Sequence, residues 1–334
     1  MKSIYSLFSS KEKWMKGTFF GCAFFSIIAL ILIALYLFIN GVPFIAKIGV
    51  GNFIFSDQWA PLSDNPLYGI GGMIVATLYL TALAVFLGVT IGLLSSICLY
   101  KFCYKKLVPI LRQLINLLAG IPSVIYGLFG LIVIVPFVRD YIAPDGVGAG
   151  FGIFSTSIVL AIMILPTIIS CSLDALYAVP NSYFEGALAL GATKEQATFK
   201  ILVPAAKSGI FAGIVLAIGR AIGETMAVAM IIGGSADMPN SLFQSVRTLT
   251  TNIAAGAMEL QGDAHSALVA TGVVLFVFSL LLNISFSCLK EISNKDKKKG
   301  KTNEKYIICN FKMAWLFCNR NCCFKLIIYF DICI

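Results

Sequence analysis

Six apolar segments, separated by shorter polar stretches, dominate the pattern of hydrophobic and polar positions along the chain. They cover about residues 18–39, 70–99, 107–137, 152–173, 209–234 and 264–289. Each is long enough to cross a hydrocarbon core of about 30 Å as an α-helix. The first does not match a signal peptide, because its apolar stretch is long and no small-residue cleavage motif follows it. The pattern therefore predicts an all-α membrane protein with six transmembrane helices.

Composition supports the same prediction. Hydrophobic residues make up 59% of the 334 residues and charged residues only 12%, whereas a soluble protein carries about 25% charged residues. The surplus apolar surface must face lipid or other membrane helices. The net charge of +9 comes largely from lysines at segment ends and in the C-terminal tail. This distribution is typical of topology signals and argues against nucleic-acid binding.

The positions of Lys and Arg predict the orientation. Positive charge is concentrated in the N-terminal tail, in the loops between segments two and three and between four and five, and after segment six. The alternate loops carry only Lys47, Arg139 and Arg247. The positive-inside rule then places both termini in the cytoplasm, as an even number of spans also requires. We expect a multi-pass protein of the bacterial inner (plasma) membrane.

Glycine and proline mark two places inside these segments. The run Gly120-Ile-Pro-Ser123 interrupts segment three, where it indicates a kink or close helix packing. Gly88 and Gly92 in segment two are four residues apart and form a small-xxx-small face. Such a pair is either a site of close helix packing or a chance match in apolar sequence.

The loop between segments four and five is predicted to contain two short helices. Ser182-x-x-Glu185 is typical of a capping box, which predicts a helix over about 183–190, and Gly191 suits the left-handed position at its end. Thr193-x-x-Gln196 is a second capping box before a helix over about 194–202, which Pro204 would end. From these residues alone, the loop is either an ordinary helical connection capped by Glu185 or a rigid element that contacts a partner.

The motif Glu185-Gly-Ala-x-x-x-Gly191, followed by Ile201-x-x-Pro204, resembles the EAA loop of binding-protein-dependent ABC importer permeases. In that family the first helix is a coupling helix that sits in a groove of the ATPase subunit. The resemblance implies that Glu185, Gly186, Ala187 and Gly191 form the ATPase contact. Gly186 stands where the family usually has alanine.

Segment five carries a pair of opposite charges. Arg220 is predicted near the middle of the membrane, where an unpaired charge costs at least about 2.5–3.5 kcal/mol. Glu224 is four residues further on, so on one helix the two side chains share a face and can pair. The pair either fixes helix packing only, or Arg220 lines a translocation path and meets an anion. A guanidinium suits phosphate because its planar fork donates two parallel hydrogen bonds.

The run Gly219-Arg220-Ala-x-Gly223-Glu224-Thr225-Met-Ala-Val resembles the signature of the phosphate-specific (Pst) importer permeases, as does the run from Leu118 to Gly130. The similarity covers about residues 15–290. It implies a MetI-like ABC importer permease fold with cytoplasmic coupling helices, and a substrate pathway through Arg220, Glu224 and Thr225. It also implies a heterodimer with a second, PstA-like permease, two PstB-like ATPase subunits and a PstS-like phosphate-binding protein, which is periplasmic or lipid-anchored. ATP and Mg²⁺ would be bound by the ATPase partner, with no cofactor in this chain.

The chain itself is expected to be neither an enzyme nor a metal protein. It has no GxxxxGK[ST] motif for ATP, and its single histidine, His265, is predicted at a membrane interface. Asp174 is expected to be a solvated residue at a helix end. The alternatives left open are a permease for another oxyanion, an ATP-independent secondary anion transporter and a membrane-embedded enzyme.

Three regions are predicted along the chain. Residues 1–69 hold the N-terminal tail, the first span and a periplasmic loop, and residues 70–290 form the permease core, with the EAA loop at 182–204. Residues 291–334 form a basic, cysteine-rich tail that is expected to be disordered or read from a shifted frame. The alternative is an interfacial or metal-binding tail that uses Cys318, Cys322 and Cys323.

Overall fold

The computed structural model describes residues 2–104, 106–143 and 149–295. Most of the predicted tail, 291–334, therefore lies outside the described residues. One compact unit runs from Leu37 to Asn294. The part of helix α1 that precedes this unit is a continuous helix that is apolar from Gly17 onward, and Phe20 and Phe24 stack along it.

The first half of the chain has two long helices, a small hairpin and a broken third span. The bounds of its elements are α1 Lys2–Ile48, α2 Val50–Phe55, β1 Trp59–Ala60, β2 Leu67–Tyr68, α3 Gly71–Ile97, α4 Val108–Ala119, α5 Ser123–Phe129 and α6 Val135–Tyr141. Strands β1 and β2 pair antiparallel. A π-helical turn, Cys98–Phe102, extends α3, and another, Gly130–Ile134, joins α5 to α6.

The second half holds the central helix, the two short helices of the predicted EAA loop and the last two spans. Its elements are α7 Ile153–Tyr177, α8 Asn181–Ala189, α9 Lys194–Ala197, α10 Val203–Gly223, α11 Met226–Ile231, α12 Leu249–Gly256 and α13 Asp263–Lys295. A third π-helical turn, Thr198–Leu202, joins α9 to α10.

Six helical segments of the described chain are long and apolar enough to cross a membrane, which confirms the predicted number of spans. They are Gly17–Ile48, Gly71–Phe102, Ser123–Tyr141, Ile153–Tyr177, Lys194–Gly223 and Asp263–Phe286. The third is shorter than predicted because the chain breaks at Gly120–Pro122, which leaves α4 as a separate short helix. The Tyr126 hydroxyl donates to the carbonyl of Leu118 at 2.8 Å and so fixes α5 against the end of α4.

The prediction that Pro204 ends the helix before span five is wrong. A continuous helical segment runs from Lys194 to Gly223, and Pro204 lies in the first turn of α10, directly after the π-helical turn. Proline interrupts an α-helix because it lacks an N–H and its ring crowds the preceding turn. The wider π-helical turn accommodates the residue here. Pro136 has the same setting after the turn Gly130–Ile134.

Helix α7 forms the centre of the unit and is the most buried span. Glycines allow its neighbours to approach closely on two sides. A Cβ placed on Gly88 of α3 would lie 2.7 Å from Cδ1 of Ile164, and one on Gly213 of α10 would lie 2.6 Å from Cβ of Cys171. Gly88-x-x-x-Gly92 is therefore a packing face, and Gly209-x-x-x-Gly213 is a second one that the sequence analysis did not identify.

Candidate functional site

The elbow, residues 181–202, begins one residue earlier than predicted. Helix α8 starts at Asn181, directly after Pro180, and no side chain caps it. The predicted capping box of Ser182 and Glu185 is therefore wrong, because Ser182 already lies inside the first turn. Pro180 has the extended backbone that precedes a helix, and its carbonyl accepts from the N–H of Tyr183 at 3.2 Å.

The rest of the elbow follows the sequence prediction. Gly191 has φ +86°, the left-handed conformation that glycine adopts without a steric penalty. The second capping box is present, because the Thr193 hydroxyl accepts from the Gln196 N–H and the Gln196 side chain accepts from the Thr193 N–H, each at 3.2 Å. The turn between α8 and α9 is therefore fixed at both ends.

The elbow is anchored through its inner face and exposes its outer face. Phe184 packs beneath the ammonium group of Lys101, which lies 3.7 Å from the ring centroid. Of the four residues predicted to contact an ATPase, Ala187 is buried against the body of the protein, whereas Glu185, Gly186 and Gly191 are exposed. Leu190, which was not predicted to contact a partner, is 90% exposed just before the left-handed glycine.

The predicted pairing of Arg220 with Glu224 is wrong. Helix α10 ends at Gly223, and Glu224 has extended backbone, so the two residues do not share a continuous helical face. The carboxylate of Glu224 instead accepts from the Ala227 N–H at 3.4 Å, at the start of α11. In residues 2–104, 106–143 and 149–295, the ion pairs with described side chains are Lys47–Asp263, Arg112–Asp174 and Arg139–Asp140. Asp174 is thus paired with Arg112, although both side chains stay about half exposed.

Arg220 lies in the last turn of α10, where the negative end of the helix dipole favours a cation. Its side chain is exposed and lines a cleft of about 630 Å³ between three spans. We call this the Arg220 cleft; its lining residues are Thr167, Ala212, Val215, Leu216, Gly219, Arg220 and Asn283. A Cβ on Gly219 or Gly223 would meet no atom of the described chain within 4 Å, so this side of α10 is open.

A short inserted helix, α12, supports the break after α10. The Thr250 hydroxyl donates to the carbonyl of Glu224 at 3.1 Å, and the Leu249 N–H donates to the Thr77 hydroxyl of α3 at 3.2 Å. Thr248 and Thr251 cap the start of α12 reciprocally. Thr225, the third predicted pathway residue, is half-buried, and its hydroxyl donates to the Gly223 carbonyl at 3.3 Å. The run Thr248-Leu-Thr-Thr251 is the local sequence signal of this cap.

The described residues hold no group of three or more His, Cys, Asp and Glu side chains that could bind a metal ion. Cys22, Cys98, Cys103, Cys171 and Cys288 form no disulfide within the described part of the chain. His265 is exposed at the start of α13. The predicted metal-binding alternative for Cys318, Cys322 and Cys323 falls outside the described residues.

Comparison with known proteins places this fold among transport proteins. Residues 88–299 match the family model described as the binding-protein-dependent transport system inner membrane component. The chain is 36% identical over 264 residues to a probable ABC transporter permease protein, YqgH, of Bacillus subtilis, covering 78% of this chain and 84% of that protein. It is 34% identical over 312 residues to the phosphate transport system permease protein PstC of Haemophilus influenzae, covering 87% and 97%.

Solved structures show the same fold at low sequence identity. A chain of the MetNI methionine ABC transporter in an inward-facing conformation superposes with a TM-score of 0.52 at 21% identity, covering 66% of this chain and 93% of that one. A chain of a bacterial ABC transporter involved in the import of alginate gives 0.51 at 15% identity, covering 80% and 95%. Together with six membrane-length helices, these matches show that the chain belongs to the family of binding-protein-dependent transport system inner membrane components.

Proposed function

We propose that this chain is one permease subunit of an ATP-driven phosphate importer. The observation that carries the proposal is Arg220: an exposed cation in a spanning helix, without an ion-pair partner in the described residues, beside an open cleft. Such a charge is costly in a membrane unless an anion or water reaches it. Relatives of 34–35% identity that are named phosphate transport system permease PstC support phosphate as that anion.

The importer would combine this chain with a second, PstA-like permease, two PstB-like ATPase subunits and a PstS-like phosphate-binding protein. ATP and Mg²⁺ would be bound by the ATPase subunits. The distribution of Lys and Arg supports an orientation with both termini and the elbow in the cytoplasm. The exposed side of the elbow, with Glu185, Gly186, Leu190 and Gly191, would then contact an ATPase subunit.

Arg220 and the end of α10 would form the substrate path. The guanidinium would donate two hydrogen bonds to phosphate oxygens. Glu224 would act differently from the paired residue that the sequence suggested, because its carboxylate caps α11 and its carbonyl is held by Thr250. Thr225, the next residue, would stabilise the backbone conformation between α10 and α11. Arg220 is thus left available for the anion.

Reconstitution tests this proposal. The complex, purified through a tag on this chain, should retain ATPase subunits and accumulate ³²P-labelled phosphate in proteoliposomes only with ATP and the binding protein. Arg220→Gln should abolish uptake while the complex still assembles. Arg139→Gln is the matched control, since Arg139 is exposed and bonded to its neighbour Asp140.

Several results would overturn the proposal. Normal uptake by Arg220→Gln would remove Arg220 from the path, and ATP-independent uptake without an ATPase partner would indicate a secondary transporter. Transport of sulfate or a phosphonate in place of phosphate would indicate a permease for another oxyanion.

A further inference from the structure

Two neutral polar side chains accompany Arg220 in its cleft. Thr167 of α7 and Asn283 of α13 belong to different spans from Arg220, yet all three line the same space. The rest of the lining consists of small or apolar residues of α10, namely Ala212, Val215, Leu216 and Gly219. Three separate helices thus each bring one polar group to an otherwise apolar wall.

None of these three side chains has a hydrogen-bond partner in the part of the chain that the structure describes. This is unusual for a threonine in a spanning helix. The hydroxyls of Thr77, Thr90 and Thr271 all donate to the carbonyl four residues earlier, at 2.7–2.9 Å. Thr167 is half-buried and Asn283 is exposed, so the polar groups of both side chains are accessible to a ligand that enters the cleft.

We propose that Thr167 and Asn283 complete an oxyanion subsite with Arg220, specific for an ion of the phosphate type. The inference rests on the proposed function and adds two binding residues to it. Arg220 excludes cations by charge, and no carboxylate of the described chain lines the cleft to repel an anion. The apolar wall strengthens each hydrogen bond formed there, because the local dielectric constant is low.

The hydrogen-bonding capacity of the three side chains distinguishes free phosphate from other oxyanions. A guanidinium can only donate, whereas the Asn283 carboxamide and the Thr167 hydroxyl can both donate and accept. Free phosphate keeps a P–OH proton at neutral pH, and these two residues can accept it. Sulfate and the phosphodiester of a lipid headgroup carry no such proton. Free phosphate therefore fits all three groups, although a lipid phosphate shares the oxyanion chemistry.

The experiment compares Thr167→Val and Asn283→Leu in the assembled importer. Each variant keeps approximate side-chain size and removes the polar group. We expect the rate of ³²P-phosphate uptake at a fixed, subsaturating concentration to fall about tenfold in each, the usual effect of losing one hydrogen bond to a charged ligand. Thr167→Ser should restore most of the rate, since it keeps the hydroxyl.

Matched controls lie outside the cleft. Thr90→Val and Ser279→Ala remove hydroxyls that donate only to a carbonyl of their own helix, and uptake should stay within about twofold of the wild type. If Thr167→Val and Asn283→Leu transport like the wild type while Arg220→Gln does not, the subsite is wrong and the proposed function stands. If the wild-type complex itself fails to transport phosphate, the proposed function is wrong.

Two further readouts separate other roles for these residues. Mass spectrometry of the complex from phosphatidylglycerol vesicles measures retained lipid; a loss of lipid in both variants, with unchanged uptake, would assign the subsite to a lipid phosphate. Size-exclusion chromatography measures assembly. If either variant releases the second permease, that residue contacts a subunit and the proposal is overturned.

Discussion

The hydroxyl of Thr250 donates a hydrogen bond to the backbone carbonyl of Glu224 over 3.1 Å, and this bond joins α12 to the break between α10 and α11. The carbonyl lies where the helical hydrogen-bond pattern has just ended, so it needs a partner from elsewhere. Thr250 is 7% exposed, which leaves little room for water to substitute.

We predict that Thr250→Val destabilises the complex. The change keeps the shape of the side chain but leaves the Glu224 carbonyl unpaired, at a cost of about 1–3 kcal/mol. The midpoint of thermal unfolding, followed by size-exclusion chromatography after heating, should fall. Thr81→Val is the control, because the Thr81 hydroxyl bonds only to the Thr77 carbonyl of its own helix. Equal stability of the two variants would contradict the role given to Thr250.

A substitution at Gly191 tests whether the shape of the elbow matters for binding of the ATPase subunit. The φ of +86° at this glycine is strained for any residue with a side chain, by about 1–2 kcal/mol. No atom lies within 4 Å of a Cβ placed there, so Gly191→Ala acts through the backbone alone. We expect the variant to retain less ATPase subunit on purification, because the angle between α8 and α9 must change.

Gly262 provides a matched control for Gly191. It also has positive φ, at +62°, and open space around the missing Cβ. It lies between α12 and α13, away from the elbow. Gly262→Ala should therefore retain the ATPase subunit normally, and an equal loss in both variants would indicate general destabilisation.

The contact between α3 and α7 can be tested by a double-mutant cycle. Gly88→Ala forces a Cβ to within 2.7 Å of Ile164, and Ile164→Ala leaves a cavity, so each change alone should lower stability. The double variant should be more stable than the sum of the two losses predicts, because the new methyl group occupies part of the cavity. Gly21→Ala, which meets no atom within 4 Å, should have little effect. Strict additivity would show that Gly88 is not a packing contact.

The ion pair between Arg112 and Asp174 should contribute little. Both side chains are about half exposed, and pairs of this kind contribute about 0–1 kcal/mol. Asp174→Asn should therefore keep uptake and lower the unfolding midpoint only slightly. The difference in midpoint between this variant and the wild type should be smaller at high salt. Complete loss of uptake in this variant would point to a role in proton transfer that the structure does not suggest.

Local patterns in the sequence predicted much of the fold. Six apolar segments and the Gly120–Ser123 break are signals that depend on composition and on local backbone chemistry, and both are present. Gly191 and the capping box of Thr193 were predicted for the same reason. These features need only neighbouring residues to form, so the local sequence is sufficient to identify them.

The site was harder to predict because its geometry depends on where a helix ends. The spacing of Arg220 and Glu224 suggested pairing only on the assumption that α10 continues, although Gly223, with Arg220 in the turn before it, matches a helix stop signal. The end is stabilised by Thr250, which is distant in sequence. Thr167 and Asn283 are single polar residues in separate apolar segments, so only the three-dimensional structure brings them to one cleft.

The π-helical turn before Pro204 has a mechanical consequence. Because the chain stays helical from Lys194 to Gly223, helix α9 and Arg220 belong to one continuous helical segment, with roughly 39 Å between Lys194 and Arg220 at 1.5 Å per residue. A flexible loop before Pro204 would take up a displacement of α9 locally. A rigid helix instead tilts as one body, so that a displacement of α9 also moves the end that carries Arg220. A force applied at α9 would therefore be transmitted to Arg220, at the cleft, through continuous helix, and a force applied at α8 would reach it through the turn at Gly191.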